Sequence, residues 1–259
     1  MKLRLTLTSL LLCLACGAAP ESFSESDDGA ASSQASALSN KDFDVDFSGC
    51  AEFAGIGFVP AANARPRVPA HYTLAGDTTN AIVVVRVAQC SGAVVDGKSV
   101  GATTTAQIGI TLAGGDPTAD INNYTLAYAT NQARLHARFQ AAGVDADLSK
   151  DLEFALTSGA LSMASSSPHT PSFQVTGTAL VPTSNPVQFI ASWWADGNHG
   201  VVRSRTVLPA IRFGGSTTTL TTPAGSALAT LIGGTSLTFA ILDSYNTFPS
   251  SHLEVRDTD

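Results

Sequence analysis

Hydrophobic positions along the chain cluster in short β-branched and aromatic runs. Ala81-Ile82-Val83-Val84-Val85-Arg86-Val87 is the clearest, and 105–112, 123–129, 172–180, 187–195, 200–208, 216–221 and 236–242 are Thr-, Val- or aromatic-rich stretches bounded by Gly, Pro, Asn or Asp. Such residues suit a pleated, half-buried surface, and the pattern predicts roughly eight to eleven strands. Val95-Asp96-Gly97-Lys98 carries the Asp-Gly signature of a tight hairpin.

Helical spacing stands out in two places. One segment starts at Asn131 as N-cap, brings Leu135 and Phe139 onto one face, and stops at Gly143. The other has Thr222 as cap, Pro223 at the first helical position, Leu228, Leu231 and Ile232 on one stripe, and Gly233-Gly234 at its end. Both are expected to pack on or plug a curved sheet. The predicted class is α+β and β-rich, an antiparallel barrel-like sheet with two short helices. An all-β sandwich is the alternative.

The N-terminus does not belong to this pattern. Lys2 and Arg4 precede an apolar run from Leu5 to Ala15, which reads as a signal peptide over 1–15. The run falls short of the roughly 20 residues of a bilayer-spanning helix. It ends in Cys13-Leu14-Ala15-Cys16-Gly17, similar to a bacterial lipobox with Cys16 as the lipidated residue. Cys13 stands where leucine is usual, so ordinary signal-peptidase cleavage is the alternative. Residues 16–42 are rich in Ala, Ser, Gly, Asp and Glu, with Phe23 and Leu38 as their large apolar groups. That composition cannot bury a core and reads as a disordered tether, holding the domain about 30 Å from the anchor. Residues 43–259 then form one β-rich domain, placed at the outer membrane or cell surface, or in the periplasm or medium if the lipid is absent.

Processing leaves 12 basic against 21 acidic side chains, a net charge near −9. An acidic chain without a basic cluster lacks the footprint of a nucleic-acid binder, and a lipid anchor is the expected membrane contact. Cys50 and Cys90 form an even pair without metal-type spacing, so in an oxidising compartment they are expected to be bridged, against the alternative of two buried thiols.

The succession Arg67-Val68-Pro69-Ala70-His71-Tyr72, the strand through Val83-Val84-Val85, a turn at Cys90, the Gly97 hairpin, Gln107-Ile108-Gly109-Ile110, and Tyr124 followed by the Asn131 helix resembles the acetoacetate decarboxylase-like group over about residues 60–150. The resemblance implies a cone-like antiparallel barrel around a cavity for a small organic acid or ketone. The decarboxylases of that group use a Schiff-base lysine. Lys98 sits in the predicted hairpin turn and Lys150 in a polar loop, where water keeps each amine protonated, so that chemistry does not transfer to either.

Candidate ligand-binding residues follow from charge and aromaticity in strands. Arg86 lies in an apolar strand on the face of Val84 and Ala88, as a partner for a ligand carboxylate or for an internal carboxylate. Trp193 and Trp194 are adjacent, so one ring is expected to enter the core and the other to line a pocket or stand exposed. Asp196 and His199 share the turn that follows and could pair as carboxylate and imidazole, or simply belong to a polar hairpin turn. Arg203 and Arg205 project from one face of the next strand, either joining Arg86 in a cationic pocket or forming a solvated outer face. Asp120, Asn122, Asn123 and Tyr124 read as loop capping rather than a calcium loop.

No catalytic residue is assigned. Nucleophile-elbow, zinc-protease, phosphate-loop and paired-cysteine motifs are missing, and the histidines at 71, 136, 169, 199 and 252 are scattered, so no cofactor or metal is implied. The leading expectation is an exported lipoprotein whose barrel binds a small apolar or acidic molecule. A decarboxylase-like enzyme or lyase without a Schiff base, and an adhesion or carbohydrate-binding domain, are the alternatives.

Overall fold

The computed structural model of the chain describes residues 41–114, 120–166, 172–197 and 200–258. The segment expected to be a signal peptide, Cys16 and all but the last two residues of the expected tether lie outside them, as does His199. Lys41 and Asp42, expected in the tether, already bond to Asp257 through the Lys41 ammonium at 2.6 Å and the Asp42 carboxylate at 2.9 Å.

Among the described residues the strands are β1 (Phe43–Pro60), β2 (Asn80–Val95), β3 (Lys98–Ser99), β4 (Thr103–Thr111), β5 (Ile121–Thr130), β6 (Ala146–Leu148), β7 (Glu153–Thr157), β8 (Ala160–Ser165), β9 (Phe173–Ala179), β10 (Val187–Gly197), β11 (Gly200–Thr221), β12 (Ser236–Thr238) and β13 (Leu242–Asp257). The helices are α1 (Ala61–Ala64), α2 (Ala133–Ala141) and α3 (Ala227–Ile232). Strands run in the order β10-β5-β4-β2-β1-β13-β11, and pairing of β10 with β11 closes them into a barrel-like ring. The ring is mixed rather than wholly antiparallel, because β5 runs parallel to β10 and to β6.

Two stretches read as separate strands are halves of β11. Up to Gly215 it pairs with β13, and from Ser216 it pairs with β9. Gly214-Gly215 interrupts the hydrophobic pattern at that handover. The second half of β11 with β9, β8 and β7 forms a sheet outside the ring. Val83, Val85, Val87, Ile108 and Ile110 of the ring meet Met163, Val175 and Leu220 of that sheet in the largest core cluster. Burying side chains of this kind contributes about 1.5–3 kcal/mol each.

Cys90 lies inside β2 rather than at a turn, directly opposite Cys50, and the two are bridged. The hairpin is where Asp-Gly put it. Asp96 and Gly97 both have positive φ, as a type I′ turn requires, between β2 and β3.

Helix α2 begins after Gln132, not Asn131, whose side chain instead accepts a 2.9 Å bond from the Thr104 amide. Its Leu135 and Phe139 are buried, and Phe139 lies tilted against Tyr128 at 4.2 Å and meets Phe43 edge to face at 5.2 Å, closing one end of the ring. Helix α3 is capped by Ser226, which accepts from the Ala229 amide at 2.9 Å, while Thr222 bonds to the Ser226 hydroxyl one turn earlier. Gly233 ends α3 in the left-handed region, as expected.

Candidate functional site

Alternation along β2 sends its odd-numbered valines outward to the core and turns Val84, Arg86 and Ala88 into the ring. On β1, Glu52 and Ala54 face the same space. The Arg86 Nε donates to Glu52 Oε2, and the Asn246 amide lies 3.5 Å from the other carboxylate oxygen. Glu52 therefore orients the guanidinium. Its Nη edge has no partner among the described residues, and 19% of the side chain stays accessible.

A cavity of about 90 Å³ lies on one side of Arg86 and a chamber of about 20 Å³ toward α2 on the other, with Arg86, Trp193 and Thr206 lining both. At ~30 Å³ per water in the liquid, the larger space holds about three waters. It suits a molecule of a few heavy atoms and excludes a lipid chain. Its walls are largely apolar, with Ala54, Ile56, Leu208 and Ile211 among them. Tyr128 lines the inner chamber. Burial pushes its hydroxyl far above the usual phenol range, and the nearby Arg86 charge pulls weakly the other way.

The tryptophans divide as adjacency dictates. Trp193 is 3% exposed and walls the cavity. Trp194 faces the outside of the ring, where its indole N–H donates to Asn122 at 2.8 Å and the Arg203 guanidinium lies 5.9 Å from its ring centroid.

Arg203 and Arg205 do not join Arg86. Ser204 and Thr206 are the β11 residues that line the interior, so alternation puts the two arginines on the opposite face. Arg205 donates through Nε to Asp120 at 2.8 Å, and the Ser192 hydroxyl donates to the same oxygen at 2.9 Å. Asp120 is thus one end of a buried ion pair rather than a loop cap. Asn123 is buried too and accepts from Thr111 at 3.0 Å.

Asp196 also lies outside the ring. It accepts from the Tyr72 hydroxyl at 3.0 Å, with the His71 imidazole 3.7 Å away. It shares no cavity with Arg86, which removes acid–base chemistry by Asp196 on a ligand held at Arg86. Lys98 and Lys150 are exposed and Lys41 is paired with Asp257, so none of these amines reaches the interior. Glu52 and Asn246 were not singled out from sequence. Glu52 sits in a Gly- and Ala-rich stretch without a β-branched run, and its proximity to Arg86 comes only from the β1–β2 register.

No protein-family model and no sequence of a characterised protein matches the chain. Solved structures do. An acetoacetate decarboxylase superposes with a TM-score of 0.53 at 11% identity, covering 82% of this chain and 88% of the other. An acetoacetate decarboxylase-like enzyme from Sphingomonas wittichii RW1 gives 0.54 at 10% identity over 85% and 93%. Acetoacetate decarboxylase from Legionella pneumophila gives 0.50 at 11% identity over 81% and 84%. With the closed ring and the flanking sheet, these likenesses give the chain the acetoacetate decarboxylase-like fold.

Proposed function

We propose that the barrel cavity binds a small organic acid, its carboxylate lying on the Nη edge of Arg86, in a domain exported and tethered through Cys16. The observation that carries this reading is a guanidinium oriented by Glu52 through Nε, in the lining of a small and largely apolar cavity. A planar fork of this kind matches a carboxylate with two parallel bonds, and the apolar walls take a short alkyl group. The Glu52 charge offsets part of the attraction, so affinity is expected to be modest.

Calorimetry on the purified full chain with straight-chain and keto acids of two to eight carbons tests it. Short acids should bind and the longest should not, and Arg86→Met should weaken binding at least tenfold. Binding that ignores Arg86→Met, or no binding by any short acid, overturns the reading. Mass measurement of the mature N-terminus in wild type and Cys16→Ala checks the anchor.

The decarboxylase-like alternative draws on one observation, the Glu52 carboxylate held beside the proposed ligand position. With no lysine lining the cavity among the described residues, activity would rest on electrostatic stabilisation and proton transfer. Carbon dioxide release from β-keto acids that is lost in Glu52→Gln, with no borohydride-trapped adduct, would favour it over binding alone.

A further inference from the structure

A second site lies outside the ring, where nothing in the barrel reading requires one. The segment after α1 lays His71 and Tyr72 against β5 and β10. The His71 and Tyr72 rings are 4.2 Å apart, and Tyr72 and Tyr124 are 5.2 Å apart. Trp194 continues the row, since it is the strand partner of Tyr124. Two clefts flank this aromatic ledge, one of about 460 Å³ on the Tyr124 and Asp196 side and one of about 400 Å³ on the Tyr72 and Trp194 side. Tyr72 joins them, touching Tyr124 with its ring and Asp196 with its hydroxyl. Each cleft falls in the roughly 300–1,000 Å³ range of ligand sites, several times the barrel cavity.

We infer that this ledge binds a neutral oligosaccharide across both clefts, one sugar ring stacking its C–H face on Tyr72 and Trp194 while the hydroxyls of a neighbouring unit bond to Asp196 and Arg67. A ring with an apolar face and a polar rim needs just this combination of aromatic surface and mixed donors and acceptors. Asp196 is 32% exposed, and its carboxylate has about four acceptor sites, of which Tyr72 takes one and His71 approaches another. Arg67 spends one Nη2 bond on the Ala227 carbonyl at 3.0 Å and keeps other N–H groups for a ligand. The wall also carries Asp145, so an anion would meet two carboxylates, and an apolar ligand would strip water from them. A polyhydroxyl ligand satisfies these groups without adding charge.

The test is titration of the purified full chain with neutral hexose and N-acetylhexosamine oligosaccharides, followed by ligand-observed NMR. Binding is expected in the millimolar to micromolar range, unaffected by salt. Tyr72→Ala and Asp196→Ala should each weaken it at least tenfold. Tyr72→Phe keeps the ring, so it should retain most of the affinity and serves as the folding control. The double variant Glu52→Leu with Arg86→Met, which removes the barrel's charge pair together, should leave sugar binding unchanged, which separates this site from the barrel. No oligosaccharide binding, or binding indifferent to Tyr72→Ala, overturns the inference. Tetramethylammonium binding that weakens with salt, in place of sugar binding, would overturn it in favour of a cation site.

Discussion

Arg86 and Glu52 are diagonal neighbours on paired strands, Arg86 facing Ala54 and Glu52 facing Ala88, and their side chains close into an ion pair on the inner wall of the barrel. Removing two charges from water costs several kcal/mol, and their attraction offsets that only while both are present. Glu52→Ala is therefore expected to destabilise the fold by about 3–5 kcal/mol, because it strands the guanidinium. The double variant Glu52→Leu with Arg86→Met should lose far less. Urea denaturation of the single and double variants checks this, and additive losses would mean that the charges are not coupled.

The Cys50–Cys90 bridge closes a segment with a sequence separation of 40 and ties the two strands that carry that ion pair. Loop-entropy arguments put its contribution at about 4 kcal/mol, an upper figure here because the β1–β2 hairpin restricts the same loop. Reduction should lower the denaturation midpoint markedly. A Cys50→Ala, Cys90→Ala variant should match the reduced wild type and should not respond to reductant.

Much of the ring was legible because the strands that build it carry β-branched runs, β2 most clearly. Its partner β1 was not. β1 reads Phe-Ser-Gly-Cys-Ala-Glu-Phe-Ala-Gly through its middle, small and polar residues with little strand preference of their own. β13 hides behind Pro249 and a run of serines. Their pairing with each other and with β2 and β11 decides both. The candidate site divides in the same way. Arg86 announces itself as a charge in an apolar strand, whereas Glu52 and Asn246 reach it only through long-range register. The two-residue alternation was enough to separate Trp193 from Trp194. It could also have separated Arg203 and Arg205 from the interior, had the inward phase of β11 been known.

Asp120 and Arg205 make a second internal pair, with Ser192 completing the shell around the same carboxylate oxygen. Asp120 is buried, so Asp120→Ala should cost about 3–5 kcal/mol, and Asp120→Asn less, since its amide oxygen still accepts from both donors. A double-mutant cycle with Arg205→Met should give a coupling energy of about 0.5–3 kcal/mol. Small-acid binding in the barrel should survive Asp120→Asn, because this pair lies on the other face of β11.

Burial raises the hydroxyls of Tyr128, Tyr124 and Tyr245 above the ordinary phenol value. The folded chain then keeps protons that the unfolded chain gives up above about pH 10. The sign follows from that difference. Stability from these groups is intact below about pH 10 and is lost as pH climbs toward the folded values, since ionisation favours the unfolded chain. Urea midpoints measured from neutral to alkaline pH should fall above that point, with phenolate absorbance appearing late. Tyr128→Phe should make the fall shallower.

Gly109 sets the position of the Trp193 ring. A Cβ at that position would lie 2.4 Å from the Tyr124 carbonyl oxygen and 2.6 Å from Trp193 Cζ3, so the ring rests against β4 only because no side chain is present. Gly109→Ala must push the indole into the cavity or part β4 from β5. Overpacking of this kind costs about 1–3 kcal/mol. A lower melting temperature, shifted tryptophan emission and weaker small-acid binding should appear together. Adding Trp193→Phe to Gly109→Ala should recover only part of the stability, since the contact with the Tyr124 carbonyl remains. Unchanged emission and binding in Gly109→Ala would show that the cavity wall does not depend on this contact.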